Sequence, residues 1–278
     1  MKKGVLLFAL NSEMDYVKLA VKLTERIKKY LNLPVTIITD SEDYLRKNFS
    51  SNLDLFDTIL KKKDETDQTK KFSDGHGFSE RYVWKNSNRT SAYELSPYDQ
   101  TLVLDVDYVI NSDFLLNVFN QNQDFLCFKN SCDLAGWRNT SEFEYINQYS
   151  IPFYWATVFY FTKTKYNEIF FKLVEYIRDN WEYYRLIYQI NDKKYRNDYS
   201  FSIAIHILNG TNVDFNTVSM PGKMFYTLDK DILLKIKNSS MTFLVEKERS
   251  LGDYTGVKTT DLDVHVMNKF SLLRSYND

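Results

Sequence analysis

The stretch Thr101-Leu102-Val103-Leu104-Asp105-Val106-Asp107-Tyr108-Val109-Ile110 decides the fold. A continuous apolar run of this length, bounded by polar residues, fits a strand buried on both faces of an α/β sheet. It ends in two carboxylates one residue apart. Ligands in open α/β sheets bind beyond the carboxyl ends of the strands. Paired hard oxygen ligands at such a place suit a divalent cation that still carries a phosphate. The pattern Asp-x-Asp also occurs at Asp229/Asp231 and Asp261/Asp263, but only Asp105/Asp107 closes a buried-looking strand. A strand end leading to a helix cap is the competing, purely structural reading.

Working outward, the N-terminal side supplies one βαβ unit. Gly4 to Leu10 is an apolar run expected to form a central strand. Ser12 is positioned to cap the next helix, with Glu13 and Asp15 in its first turn. Val17, Ala20, Val21, Ile27 and Leu31 then recur at helical spacing. Pro34 ends the helix, and Val35 to Thr39 forms a second strand that stops at Asp40. Ala9, Asn11 and Asp40 thus stand at strand C-terminal ends, where a nucleotide-binding half meets base and ribose. For Asp40, a cap on the helix from Ser41 is an equal alternative.

Asp57 to Leu60 reads as a third short strand. The polar run from Lys61 to Lys71 lacks periodicity and is expected to be a solvated loop, with a lid over an anionic ligand as the functional alternative. Gly75-His76-Gly77 punctuates its end. Phe78 to Arg89 is expected to be a helix, because Arg81, Lys85 and Arg89 lie four apart and would share one face. Three cations on one face just before the carboxylate strand suit a diphosphate, with a plain solvated stripe as the alternative.

Beyond Asp107, Phe114 to Asn120 reads as a helix and Asp124 to Phe128 as a strand. Ile151 to Thr162, with Trp155 inside it, reads as an aromatic-rich strand with room for a bulge. Tyr166 to Ile190 is expected to be one long amphipathic helix. Asn197-Asp198 opens the next, with Asn209-Gly210 as its stop. Asp198 stands at a helix N-terminus, which by itself would explain it; His206 reads as a core histidine. Val213 to Glu246 reads as β-rich. Asp261 to Val266 alternates like a strand with His265 central, and Asn268-Lys269 opens a terminal helix. Imidazole is a good ligand for Mn²⁺, and a lysine four residues on is placed to meet a phosphate.

Composition bounds these readings. The chain has 278 residues, 44% of them hydrophobic and 16% aromatic, enough for a sizeable core and against global disorder. We expect one domain over 1–278, made of an N-terminal half, 1–130, and a C-terminal half, 131–278. Its net charge is −1, so no global field favours nucleic acid. Apolar runs such as Val5 to Leu10 are too short to span a bilayer. No signal peptide is expected at Met1-Lys2-Lys3. Cys127 and Cys132 suit a reduced cytosolic chain, and no obligate protein partner is evident.

The opening βαβ with Asp40, the cations before the carboxylate strand, Asp105-Val106-Asp107 and the late His265 together resemble the GT-A glycosyltransferases, most closely the glycogenin and bacterial galactosyltransferase group. The resemblance implies a Rossmann-like, nucleotide-sugar-binding mixed α/β sheet flanked by helices, followed by a β-rich and helical acceptor part. It implies an enzyme moving a hexose or pentose from a nucleoside-diphosphate sugar, in the first instance a UDP-sugar, to an acceptor hydroxyl. Asp105, Asp107 and His265 would hold Mn²⁺ (or Mg²⁺). Ala9, Asn11, Asp40, Arg81, Lys85, Arg89, Val106 and Lys269 would meet the donor. Trp155, Asn197 and Asp198 would meet the acceptor, with Asp198 as the catalytic carboxylate. The sequence departs from the group's usual His-x-x-Gly-x-x-Lys-Pro-Trp ending, since the Gly and Pro-Trp are missing after His265. The bias toward Lys, Asn, Tyr, Phe and Ile also resembles glycosyltransferases of tailed bacteriophages. That makes hydroxymethylated cytosine in DNA a candidate acceptor and the host cytoplasm the expected location, with Lys61 to Lys63, Lys70, Lys71 and Arg81 as local support. Saccharide and lipid-linked acceptors, and a non-catalytic sugar-nucleotide-binding module, are the alternatives.

Overall fold

A computed structural model describes residues 1–62, 68–85, 89–139, 141–147, 150–210, 218–247 and 252–277. The N-terminal expectations hold in order. β1 (Lys3–Phe8), α1 (Tyr16–Tyr30), β2 (Val35–Thr39), α2 (Glu42–Asn48) and β3 (Thr58–Lys61) follow the apolar runs. The cap of α1 is Asp15, not Ser12: its carboxylate accepts from the Lys18 N–H. Next comes a hairpin, β4 (Thr69–Asp74) and β5 (Phe78–Val83), then the short α3 (Ala92–Leu95) and the carboxylate strand β6 (Gln100–Leu104).

The hairpin overturns two expectations. Thr69 to Lys71 are strand rather than loop, and no helix spans Phe78 to Arg89. Lys71 pairs with Arg81, Lys70 with Tyr82 and Phe72 with Glu80 across the hairpin. Gly75, at φ +65°, takes the left-handed turn between the strands at no steric cost. The 63–67 segment, Asn86 and the start of the β-rich section at 213–217 lie outside the described residues.

After β6 come β7 (Tyr108–Val109), β8 (Phe125–Phe128), β9 (Ser131–Asp133) and β10 (Trp155–Thr162). Phe114–Asn120 is a 3₁₀ helix rather than an α-helix. The aromatic strand is shorter than Ile151 to Thr162, and its pairing with β8 shifts register between Trp155 and Phe159. The expected long helix is two, α4 (Lys165–Asp179) and α5 (Trp181–Ile187). They break at Asn180, whose non-helical backbone (ψ 33°) ends one and starts the other. α6 (Asn197–Leu208) begins where the sequence places it. His206 in α6 is partly exposed and meets the Tyr188 hydroxyl at 3.0 Å, so it is not a core histidine. β11 (Met224–Thr227), β12 (Ile232–Lys237), β13 (Ser240–Glu246), β14 (Tyr254–Thr260), β15 (Val264–Val266) and α7 (Lys269–Ser275) complete the chain.

The central sheet has the order β3-β2-β1-β6-β10-β8. β1, β2, β3 and β6 run parallel, while β10 is antiparallel to β6 and β8. Every residue of β2 and β6 is buried, as continuous apolar runs require. This is the mixed α/β architecture expected, and the C-terminal ends of β1, β2 and β6 open together. A second sheet, β7-β15-β11-β9, starts directly beyond Asp107. An antiparallel sheet, β12-β13-β14, follows it in sequence. No helix among the described residues is long and apolar enough to cross a membrane.

Candidate metal and nucleotide-sugar site

Asp105 follows the last residue of β6, and the chain turns at once: the Tyr108 N–H donates to the Asp105 carbonyl at 3.0 Å. β7 then pairs with β15, setting Tyr108 opposite His265. The Val266 N–H donates to the Asp107 carbonyl at 2.9 Å. That short ladder joins positions about 160 residues apart and fixes the site. One ligand atom each of Asp105, Asp107 and His265 lies within 4.8 Å of the others. His265 Nε2 stands 3.4 Å from Asp107 Oδ2.

Cations bracket the carboxylates. Arg89 forms an ion pair with Asp105, and Lys269 Nζ lies 2.5 Å from Asp107 Oδ2. Lys269 is the first residue of α7, whose cap is the Asn268 side chain, so the helix start sets its position. Burial works against the Asp107 anion, but Lys269 and His265 overcome it and hold its pKa far below the usual carboxylate range. Asp105 goes the other way: burial and the Asp107 charge outweigh Arg89 and raise its pKa. The buried Tyr16 hydroxyl has no hydrogen-bond partner among the described residues. Burial first, then the charges of Asp107 and Asp105, push its pKa up.

Two carboxylates and an imidazole in this arrangement fit a divalent cation of hard or borderline character better than a soft metal, which would use thiolates. The orphaned Tyr16 hydroxyl beside them is the kind of group that a hydrated cation satisfies.

The cluster lines a cavity of about 380 Å³. Of the sequence-predicted residues, Asp105, Val106, Asp107, Arg89, His265, Lys269, Trp155, Asn197 and Asp198 all line it. Ala9, Asn11, Asp40, Lys85 and Arg81 do not. Asp40 sits where β2 ends and accepts from the Asn11 N–H (2.9 Å) and Lys85 Nζ (2.9 Å), making a separate group beside Ala9. Arg81 is exposed on β5 and joins neither group. Because Phe78–Val83 is a strand and Arg89 opens a 3₁₀ turn, the three cations diverge: Arg89 meets Asp105, Lys85 meets Asp40, and Arg81 stays outside.

On the far wall, Asp198 does not cap its own helix. Its Oδ1 accepts from the Ala156 N–H at 2.9 Å and its Oδ2 from Arg196 Nη2 at 2.9 Å. The first of these falls where β10 changes register. Trp155 is buried, with its ring 6.1 Å from that of His265. Asn197 accepts from the Tyr195 hydroxyl at 3.2 Å. Sequence reasoning did not place Tyr16, Lys70, Trp84 or Arg196 in the site, yet all line the cavity. Tyr16 is hidden by its place in an amphipathic helix, and Lys70 by a polar run that gives no strand signal.

No protein-family model and no curated protein sequence matches the chain. Among solved structures it is similar to the glycosyltransferase GlyE of Streptococcus pneumoniae TIGR4. That match has 12% identity over 80% of this chain and 46% of that one, with a TM-score of 0.46. It is also similar to the galactosyltransferase LgtC, crystallised with donor and acceptor sugar analogues. Here identity is 10% over 74% of this chain and 70% of that one, with a TM-score of 0.45. The chain thus spans less than half the length of GlyE. Likeness at this level assigns it no activity.

Proposed function

We propose that the chain is a metal-dependent, GT-A type glycosyltransferase that moves a sugar from a nucleoside-diphosphate sugar, with a UDP-sugar as the first candidate, to an acceptor hydroxyl. The observation that carries this reading is the convergence of Asp105, Asp107 and His265 with Arg89 and Lys269 at the C-terminal end of β6, on the wall of one cavity. Asp105, Asp107 and His265 are the residues that would hold Mn²⁺ or Mg²⁺. The ion, when bound, supplies Lewis-acid stabilisation of the departing diphosphate. Arg89 and Lys269 stand ready to add their charge to the same oxygens. Ala9, Asn11 and Asp40, at the ends of β1 and β2, are assigned to the nucleoside with Lys85, which pairs with Asp40. Trp155 and Asn197 are assigned to the acceptor side. Asp198, fixed by Ala156 and Arg196, holds its carboxylate at the acceptor side, in place to receive a sugar or acceptor hydroxyl.

A polyanionic acceptor such as DNA bearing hydroxymethylated cytosine has one local support. Lys71 and Arg81 oppose each other on an exposed face of the hairpin. Binding to modified duplex should then fall steeply with added salt; no binding at low salt removes DNA as the acceptor.

The reading is tested by thermal shift with a panel of nucleotide sugars, with and without Mn²⁺. We expect a stabilising shift only when metal and one nucleotide sugar are both present, and its loss in Asp107→Ala. A shift that ignores the metal, or survives Asp107→Ala, contradicts the assignment.

A further inference from the structure

Three cations of the site pair off, whereas Lys70, Lys71 and Lys194, which also line the cavity, have no ion pair among the described residues. Arg89 is matched by Asp105, Lys269 by Asp107 and Arg196 by Asp198. Lys70 also lines the cavity, yet among the described residues no carboxylate lies within ion-pair distance of its ammonium. Its one close neighbour of note is the Trp84 ring, 5.5 Å from Nζ to the centroid.

The strand register holds Lys70 there. Side chains alternate along β4, so Lys70, Phe72 and Asp74 share a face. Phe72 is buried, with Lys269 Nζ 5.7 Å from its ring centre. Asp74 accepts from Arg274 Nη2 at 2.9 Å and from Asn268 Nδ2 at 3.2 Å, which fastens the hairpin to both ends of α7. Phe270 adds edge contacts to Phe78 and Tyr82 at 5.4 and 6.0 Å. Tyr82 is the cross-strand partner of Lys70. The helix that places Lys269 on Asp107 therefore also places Lys70 in the cavity. Crowding by the protein, and then by Lys269 and Arg196, lowers the Lys70 pKa to about 8. Three cations that repel one another across one cavity are stabilised together by an anion between them.

We propose that Lys70 is a further cation that takes up negative charge developed on the leaving nucleoside diphosphate. The inference rests on the glycosyltransferase reading above and adds a residue to its donor side. In sugar transfer the bond from the anomeric carbon to the β-phosphate oxygen breaks, and its electron pair stays on that oxygen. The acceptor oxygen forms the new bond and its proton leaves to solvent. The released diphosphate thus carries one more negative charge than the bound nucleotide sugar. Arg89, Lys269 and Arg196 each also answer a carboxylate, so Lys70, on the Phe72 face of β4, adds positive charge toward the increment. A nucleoside monophosphate lacks the β-phosphate and gains nothing from it.

The test is calorimetric binding of uridine, guanosine, adenosine and cytidine diphosphates, and of the matching monophosphates, in the presence of Mn²⁺. It compares wild type with Lys70→Ala, Lys70→Arg and Asp107→Asn. Lys70→Ala should weaken the preferred diphosphate roughly tenfold or more while leaving the monophosphate unchanged, and Lys70→Arg should restore most of the loss. Unchanged diphosphate affinity in Lys70→Ala, or equal weakening of both nucleotides, overturns the role of Lys70 and leaves the metal-nucleotide reading standing. If wild type binds no diphosphate with Mn²⁺ and matches Asp107→Asn, both fall. Melting temperature checks folding; should the alanine variant unfold, Lys70→Gln takes its place in the same comparison.

Discussion

Asp105 and Asp107 stand one residue apart and meet opposite fields. Asp107 faces Lys269 and His265 and is held strongly ionised; Asp105 faces Arg89 but also burial and its neighbour's charge. The residue that anchors the site is therefore Asp107, a choice the Asp-x-Asp pattern does not make. Asp107→Asn leaves Lys269 and His265 without their anion. We expect it to abolish Mn²⁺-dependent nucleotide binding and to cut transfer by more than about a hundredfold, since even supporting residues of metal sites cost about 10–100-fold. Retained Mn²⁺ dependence, measured by titrating the metal against initial rate, would contradict this. Lys70 gives a second prediction at this scale. Its pKa falls from an ordinary 10.5 to about 8 in the fold, through crowding and through Lys269 and Arg196, which Asp107 and Asp198 only partly offset. A lowered lysine pKa means that the folded protein binds the proton less tightly than the unfolded chain. Its charge therefore weighs against folding at neutral pH, and that burden lifts as pH rises from about 8 toward 10.5. Binding runs the other way. Diphosphate affinity of the free protein should decline as pH rises through about 8, and in Lys70→Arg the decline should move to higher pH. An affinity flat from pH 7 to 9 would rule this out.

At the scale of elements, those with a clear apolar pattern of their own were legible, and those made of polar residues and fixed by pairing were not. β1, α1, β2 and β6 announce themselves by buried runs and one helical stripe. The hairpin does not. Arg81, Lys85 and Arg89 have helical spacing, but Phe78, Glu80 and Tyr82 find opposite numbers at Asp74, Phe72 and Lys70. The partner strand begins inside a polar run without alternation, so the sequence gives no strand signal on the side that sets the conformation of residue 80. Local signals also understate constraint inside a well-read element. Gly4 looks like an ordinary start to an apolar strand, yet a Cβ there would fall 2.3 Å from the Tyr98 ring. That ring is buried and tied by its hydroxyl to Thr36 Oγ1 at 2.8 Å, so it has little room to retreat. Gly4→Ala should therefore destabilise the chain at the upper end of the overpacking range, about 3 kcal/mol. Urea unfolding would show it as a lowered midpoint with an unchanged slope. A midpoint equal to wild type would mean that Tyr98 is freer than the packing indicates.

Across the whole molecule, the site depends on contacts that no motif predicts. His265 reaches Asp107 because β15 joins β7, and β15 is in turn held by β11 and β9. Tyr226 on β11 pairs with both His265 and Asp133, so Asp133, Tyr226, His265 and Tyr108 form one row across that sheet. At the end of the row stands Arg138, buried between two carboxylates. It donates to Asp133 Oδ2 at 2.6 Å and, in bidentate fashion, to Asp231 at 2.8 and 2.7 Å. Asp231 also accepts the N–H groups of Leu228 and Glu246, binding the β12-β13-β14 sheet to the same point. The sequence showed Asp229/Asp231 only as an Asp-x-Asp without a strand; its second carboxylate turns out to be structural. Removing Arg138 leaves two carboxylates buried without their cation. Breaking a buried pair in this way costs about 3–5 kcal/mol, which for a chain of this size lowers the melting temperature by roughly 6–20 °C. We expect Arg138→Met to show that loss and, because β9 closes the row that positions His265, also to weaken Mn²⁺ affinity in the protein that remains folded. Adding Asp133→Asn should recover part of both, since it removes one of the stranded charges. If Arg138→Met lowers stability but leaves Mn²⁺ affinity at the wild-type value, the second sheet holds His265 without help from its far edge, and the row is a support for folding alone.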